Sequence, residues 1–248
     1  MAVTVTFAGC GDAFGSGGRF NTCIVVDGGG RRFTIDFGAS SLVALNKLGI
    51  AHNSIDAVLL THMHGDHFGG LPFMLLDAML GARRTAPLTI AGPRGVEARV
   101  EQAIDVLFPG SGVMRPRFSL NFVELEVGRS NEVSGLAVTP YAARHTPETN
   151  PTALRINVGD RIVTYSGDGE FGPDLCAAAR DADLFIAECY FHQKSVPGHM
   201  NYTDIREHRD DFGAKRMVLT HLGPEMLAAR EGVPEQCAED GLVIELSD

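Results

Sequence analysis

Leu59-Leu60-Thr61-His62-Met63-His64-Gly65-Asp66-His67-Phe68-Gly69-Gly70 is the stretch on which the fold of this chain turns. The apolar run Ala57–Leu60 reads as a short buried strand, and it leads straight into three imidazoles and a carboxylate. In an extended segment side chains at i and i+2 share a face, so His62 and His64 can reach one metal ion together. Gly65 is expected to let the backbone turn, so that Asp66 and His67 project towards a second position nearby. Neutral imidazole and carboxylate suit Zn²⁺ and similar borderline ions, with Mn²⁺ and Fe²⁺ as alternatives. Three protein ligands per ion leave positions free for water and substrate, unlike the closed four-ligand shell of a structural zinc site.

Outward from this cluster, strand-like runs alternate with turns and helical patterns. Val3–Ala8, Thr22–Asp27 and Arg32–Asp36 read as three early strands, the last two joined as a hairpin by Gly28-Gly29-Gly30. Leu42, Leu45 and Leu48 carry helical spacing that Gly49 ends. Pro72–Leu80, Gly95–Leu107, Leu175–Arg180 and Asp204–Phe212 are predicted helices. Leu88–Ala91, Phe118–Val127, Leu136–Ala143, Leu184–Ala187, Met217–Leu219 and Leu242–Leu246 are predicted strands. Thr152–Val158 and Ile162–Tyr165 form a second predicted hairpin around Gly159-Asp160. Strands grouped early and again mid-chain, with helices interleaved, predict two sheets covered by helices in one α/β domain spanning residues 1–248.

Bulk properties agree with an ordinary globular protein. Of 248 residues, 44% are hydrophobic and 21% charged, which sets aside disordered and coiled-coil classes. No apolar run approaches the ~20 residues that span a bilayer. The alternating start Met1–Ala8 reads as a strand and not a signal peptide, and the five dispersed cysteines read as reduced thiols, so a cytoplasmic location is expected. The net charge of −10 weighs against a polyanionic partner, although two bound divalent cations would reverse the sign locally.

The cluster and its surroundings resemble the metallo-β-lactamase-fold hydrolases, whose signature is H-x-H-x-D-H after a short strand, and the likeness covers nearly the whole chain. Ala143-Arg144-His145, Tyr165-Ser166-Gly167-Asp168-Gly169 and Leu219-Thr220-His221 each end a predicted strand and look like the family's remaining ligand segments. The resemblance implies a four-layer αβ/βα sandwich. It also implies two metal ions, one on His62, His64 and His145 and the other on Asp66, His67 and His221, with Asp168 and a hydroxide bridging them. Ala182–Cys189 and Pro197–Asn201 are similar to the ribonuclease Z-like branch. There the family's pattern makes His199 the proton donor to the leaving group, oriented by Glu188, and places Asp66 in the catalytic step too.

Departures narrow the expectation. His145 and Asp168 are 23 residues apart, too close for the arm with which ribonuclease Z grips tRNA, so tRNA is not expected as a partner. The cysteine-rich zinc site of the phosphonate-pathway phosphodiesterase and the helical C-terminal domain of glyoxalase II have no counterpart in this sequence. The second-metal cysteine of many metallo-β-lactamases is replaced by Asp168, and the glutamate of the flavo-diiron branch by His64. The expected activity is therefore a phosphodiesterase acting on a small or nucleotide-like ester. Hydrolysis of a carbonyl substrate (thioester, lactone or β-lactam) and ribonuclease Z-type RNA cleavage are the alternatives, and a homodimer is the assembly the resemblance brings. The glycine-rich stretch Gly9–Asn21 lacks the Gly-Lys-Ser/Thr ending of a nucleotide loop. Within it, Arg19 and Asn21 are candidates for contacting substrate phosphate. His52, His192 and His208 have no motif context and are expected to face solvent.

Overall fold

The computed structural model describes residues 2–247. The chain opens with β1 (Val3–Gly9), β2 (Cys23–Gly28) and β3 (Arg31–Ile35), an antiparallel meander whose second turn places Gly29 and Gly30 at positive φ, where glycine is unstrained. Helix α1 (Ser41–Lys47) then crosses to β4 (Ala57–Leu59), which pairs parallel to β3. The one-turn helix α2 (Gly65–Phe68) and α3 (Leu71–Leu80) lead to β5 (Leu88–Gly92), and α4 (Val96–Leu107) leads to β6 (Leu120–Glu124), again in parallel register.

The second half repeats the plan. Strands β7 (Asn131–Val133), β8 (Leu136–Ala142), β9 (Thr152–Val158) and β10 (Arg161–Tyr165) form an antiparallel meander. Helix α5 (Pro173–Ala179), with proline at its first position, then leads to β11 (Leu184–Glu188). Helix α6 (Tyr202–Glu207) precedes β12 (Met217–Thr220), and α7 (Pro224–Ala229) precedes β13 (Gln236–Cys237), all in parallel register. The last strand, β14 (Val243–Leu246), returns to the first sheet and pairs antiparallel to β1. The two seven-stranded sheets run β14-β1-β2-β3-β4-β5-β6 and β13-β12-β11-β10-β9-β8-β7.

Three apolar layers hold these sheets. The central one is shared between them: Val5, Phe7, Ile24 and Phe33 from one sheet meet Val138, Ile156, Tyr165 and Ile186 from the other, all fully buried. A second layer packs α1, α3 and α4 on the outer face of the first sheet through Leu45, Leu71, Met74 and Val100. A third packs α5, α6 and α7 on the second sheet through Ala178, Ile205, Phe212 and Met226. Helix, sheet, sheet, helix is the four-layer order expected. Fully covered sheets explain why the parallel strands β4, β5, β11 and β12 read as continuous apolar runs. Among the described residues no helix is long and apolar enough to cross a membrane.

Some predicted boundaries move. The segment expected to be helical over Asp204–Phe212 is helical over Tyr202–Glu207, because Asn201 caps it by accepting the Asp204 amide at 2.9 Å. The strand expected over Phe118–Val127 contracts to Leu120–Glu124. The short edge strands β7 and β13 and helix α7 carry too few residues for a periodic signal.

Candidate metal centre

Strand ends on both sheets converge on one site. Thr61 and His62 lie just beyond β4, Asp36 beyond β3, His145 beyond β8, Asp168 beyond β10 and His221 beyond β12, while Glu188 is the last residue of β11. Asp66 and His67 sit in α2, directly after His64. Gly65 corrects one expectation: its φ is not positive and a Cβ built there meets nothing within 4 Å, so the turn does not require glycine. The close approach falls on Gly38, where a Cβ would lie 2.1 Å from the Asp66 carbonyl oxygen.

Potential ligand atoms fall into two groups, His62/His64/His145 and Asp66/His67/Asp168/His221, each within 4.8 Å internally. His64 Nδ1 is 3.2 Å from His62 Nε2 and 3.0 Å from His145 Nε2. Ligand nitrogens around a tetrahedral ion at ~2.0–2.1 Å stand about 3.3 Å apart, so this spacing fits a metal. In the second group His67 Nε2 lies 3.2 Å from Asp66 Oδ2 and 3.3 Å from Asp168 Oδ1, and His221 Nε2 lies 3.2 Å from Asp66 Oδ2. Asp168 Oδ2 faces both groups, 3.9 Å from His62 Nε2 and 3.6 Å from His221 Nε2, which is the placement a bridging carboxylate needs. His67 Nε2 and Asp168 Oδ1 are buried without a hydrogen-bond partner, although both are strongly polar. A pair of divalent cations would satisfy them, and the donor set fits such a pair.

Outer contacts fix the imidazole tautomers. His67 Nδ1 donates to Asp36 Oδ2 at 2.7 Å, His145 Nδ1 to the Gly198 carbonyl at 2.7 Å, and His62 Nδ1 to Thr61 Oγ1 at 3.1 Å. With each Nδ1 so engaged, Nε2 is the nitrogen that faces the site and would offer its lone pair to a bound ion. Asp36 is fully buried, accepts the Thr61 amide and hydroxyl at 2.8 Å each, and holds φ +60, a conformation that aspartate tolerates. Nothing in the sequence marked it. It stands alone in Ile35-Asp36-Phe37-Gly38, and its partners come 25 and 31 positions later.

The electrostatics of the two groups differ. Burial holds His62, His64 and His145 below the usual histidine pKa, so their lone pairs are free at neutral pH. Burial also opposes charge on His67, but Asp168, Asp66 and Asp36 outweigh it and raise His67 well above the usual value. His221 is raised likewise by Asp168 and the Asp66 hydrogen bond. Against burial, the same cations hold Asp66 and Asp168 low.

On the far side of His145 lies a histidine–glutamate pair. His199 Nδ1 makes a short hydrogen bond to Oε1 of the fully buried Glu188. Glu188 Oε2 accepts the Gly169 amide at 2.8 Å, and burial followed by the Asp168 charge pushes the Glu188 carboxyl well up. Ligand atoms of His145, Asp168 and His199 lie within 4.8 Å of one another. The Tyr190 ring packs 5.2 Å from that of His199. A cavity of about 740 Å³ between α3, α4 and β6 touches none of these residues.

The two substrate candidates lie in the first loop. The Arg19 side chain is 7% exposed and turned to Glu239 at 3.7 Å. Asn21 donates to the Asp12 carbonyl at 2.9 Å and accepts from the Ser40 hydroxyl at 3.1 Å and amide at 3.2 Å. Both contacts lie within or beside the first loop, and Arg19 Nη1 is buried without a hydrogen-bond partner. His52 departs from expectation: it is buried and pairs with Asp77 at 2.7 Å. His192 stacks on Tyr202, and His208 stacks on Phe171 while pairing with Asp211.

Known proteins share this architecture. YhfI from Bacillus subtilis, a metallo-β-lactamase fold protein, superposes with a TM-score of 0.79 at 21% identity, covering 99% of this chain and 100% of that one. Human tRNase Z, short form, superposes at 0.77 and 22% identity, covering 97% and 98%. At these identities the likeness is one of fold. In sequence, a ribonuclease Z of Alkaliphilus oremlandii (strain OhILAs) is 35% identical over 287 aligned positions, covering 90% of each chain. The class is therefore a metallo-hydrolase of the metallo-β-lactamase fold, ribonuclease Z-like in sequence. Within that class, the sequence model described as Anti-Pycsar protein Apyc1 matches residues 3–239, and the chain belongs to that family. The Anti-Pycsar protein Apyc1 of Bacillus phage 010DV004 is 27% identical over 237 positions, covering 90% of each chain. The expectation that tRNA is excluded finds no support among relatives that include ribonucleases Z, and it is withdrawn.

Proposed function

We propose that this chain is a phosphodiesterase for a small or nucleotide-like substrate, with two divalent ions, zinc by preference, held by His62, His64, His145, Asp66, His67, His221 and Asp168. The observation that carries the reading is His199, fastened to the buried Glu188 and within 4.8 Å of ligand atoms on both His145 and Asp168. An alkoxide leaves a phosphodiester poorly unless it is protonated as the bond breaks, whereas an activated carbonyl ester needs no such donor. With Nδ1 bonded to Glu188, His199 has Nε2 free to deliver that proton. Bound metals would supply a water acidic enough to ionise near neutral pH and positive charge beside the phosphoryl oxygens. Asp66, Asp168 and the imidazole lone pairs set where that charge stands.

Between His145 and Asp168 the chain makes a short loop and the β9–β10 hairpin. RNA cleavage is the second reading, favoured by the 35% identity to a ribonuclease Z. All five cysteines are unpaired, as suits a reducing, cytoplasmic setting.

Bis(p-nitrophenyl) phosphate assayed with Zn²⁺, Mn²⁺ and Fe²⁺ tests the proposal. Turnover should vanish in His64→Ala and fall in His199→Ala. Absence of turnover with every metal, or hydrolysis of a thioester and lactone panel with His199 dispensable, would sink it. Accurate cleavage of a precursor tRNA would favour the second reading.

A further inference from the structure

Glu170 follows the bridging aspartate by two positions, in a segment that no motif singles out. Its amide donates to the Arg144 carbonyl at 3.1 Å, next to His145. Its carboxylate Oε1 accepts the Gly198 amide at 2.8 Å. The Gly198 carbonyl in turn accepts His145 Nδ1 at 2.7 Å, and the next residue in the chain is His199. Gly198 holds φ +86, and a Cβ there would stand 3.1 Å from His145 Nδ1, so this residue is pressed against the imidazole it orients. The amide on one side of Gly198 thus meets Glu170, while its carbonyl meets a candidate metal ligand and its successor carries the proton donor. Beyond Gly198 the loop is tied to Glu188 by the His199 side chain and by the Met200 amide at 3.4 Å, while the His199 amide makes a long turn bond to Val196 at 3.3 Å.

We propose that Glu170 is a positioning residue that acts through Gly198 on two groups at once, setting the His145 ring for metal binding and His199 for proton delivery. A charged acceptor makes one of the stronger hydrogen bonds open to a backbone amide in a half-buried loop. Here it fixes the peptide joining Pro197 to Gly198, and through the Gly198 backbone, held at φ +86, the next peptide, which carries the carbonyl that meets His145 and leads into His199. For proton delivery the proposal rests on the phosphodiesterase reading; for the His145 ring it does not.

The test has two arms. Aryl esters of a nucleoside 5′-phosphate, with phenols from p-nitrophenol to unsubstituted phenol, report how much each leaving group relies on His199. Glu170→Ala should lose about tenfold more kcat/KM with phenol than with p-nitrophenol, towards the pattern of His199→Ala. Glu170→Gln keeps an acceptor oxygen and should stay near wild type. Glu170→Asp is one methylene too short and should resemble alanine, which keeps the test usable where Glu170→Ala folds poorly. In the second arm, chelator competition without substrate should show Zn²⁺ held about tenfold more weakly at one of the two sites in Glu170→Ala and Glu170→Asp. Equal losses across all leaving groups together with unchanged metal affinity would overturn the proposal. A wild-type protein inert towards every ester would refute the phosphodiesterase reading, leaving the metal arm to decide the role of Glu170.

Discussion

Replacing Asp36 by asparagine isolates the contact between the first sheet and the second group of ligands. Asparagine tolerates φ +60 as aspartate does, so the backbone is not the source of any loss. Its amide oxygen can still accept the Thr61 amide, now 2.8 Å from Asp36 Oδ1. Its NH₂, however, takes the place of Oδ2, which receives His67 Nδ1 at 2.7 Å and the Thr61 hydroxyl at 2.8 Å. Donor would face donor. The least costly escape moves the His67 proton to Nε2, so that Nδ1 accepts from the amide. Nε2 then presents a hydrogen where a metal requires a lone pair. Loss of such an outer partner weakens metal binding by roughly 10- to 100-fold, about 1.4–2.7 kcal/mol. A buried donor left without a partner costs roughly 1–3 kcal/mol of stability in addition. Chelator competition reads the first quantity and urea unfolding in excess chelator reads the second. Two ions bound at wild-type affinity in Asp36→Asn, or weakening confined to the His62/His64/His145 group, would refute the reasoning.

Protonation gives a further expectation. Without metal, the neighbouring carboxylates shift His67 and His221 towards the protonated form, whereas burial shifts His62, His64 and His145 towards the neutral one. A metal entering the Asp66/His67/His221 group must displace those protons, so its affinity should rise with pH, by about tenfold per unit for each proton released. The other group should change little near pH 7. Calorimetry in buffers of different ionisation enthalpy measures the release, and equal release at both sites would contradict the assignment. Gly38→Ala should destabilise the fold by about 1–3 kcal/mol and loosen the second ion, because its Cβ would meet the Asp66 carbonyl oxygen at 2.1 Å and Asn21 Cβ at 2.5 Å. Gly65→Ala, with open space around its Cβ, should leave thermal unfolding and metal content near wild type.

What the sequence made legible follows the range over which each signal acts. His62, His64, Asp66 and His67 are adjacent in the chain, and a strand followed by a turn suffices to aim them together. His145, Asp168 and His221 are far apart, and only their shared position after apolar strands ties them to the cluster. Asp36 and Glu170 act through partners 25 to 31 positions away, and through a bond between residues 170 and 198, so no local pattern marks either. Arg19 and Asn21 are the least legible candidates, because a polar loop beside a site uses the same residue types to close itself as to hold an anion. His52 looked solvent-facing because its carboxylate partner, Asp77, lies on α3 rather than nearby in sequence. The strand order, with β14 returning to pair with β1, depends on the assembled sheets and has no local signature.

Metal content titrated against phosphodiesterase activity tests the dinuclear centre most directly. The metal-free protein should take up two divalent ions per chain, with activity appearing as the second equivalent binds. His64→Ala and His67→Ala should each lose uptake at a different site. A single tightly held ion, or hydrolysis indifferent to chelation, would contradict the assignment of these residues to a two-metal hydrolase.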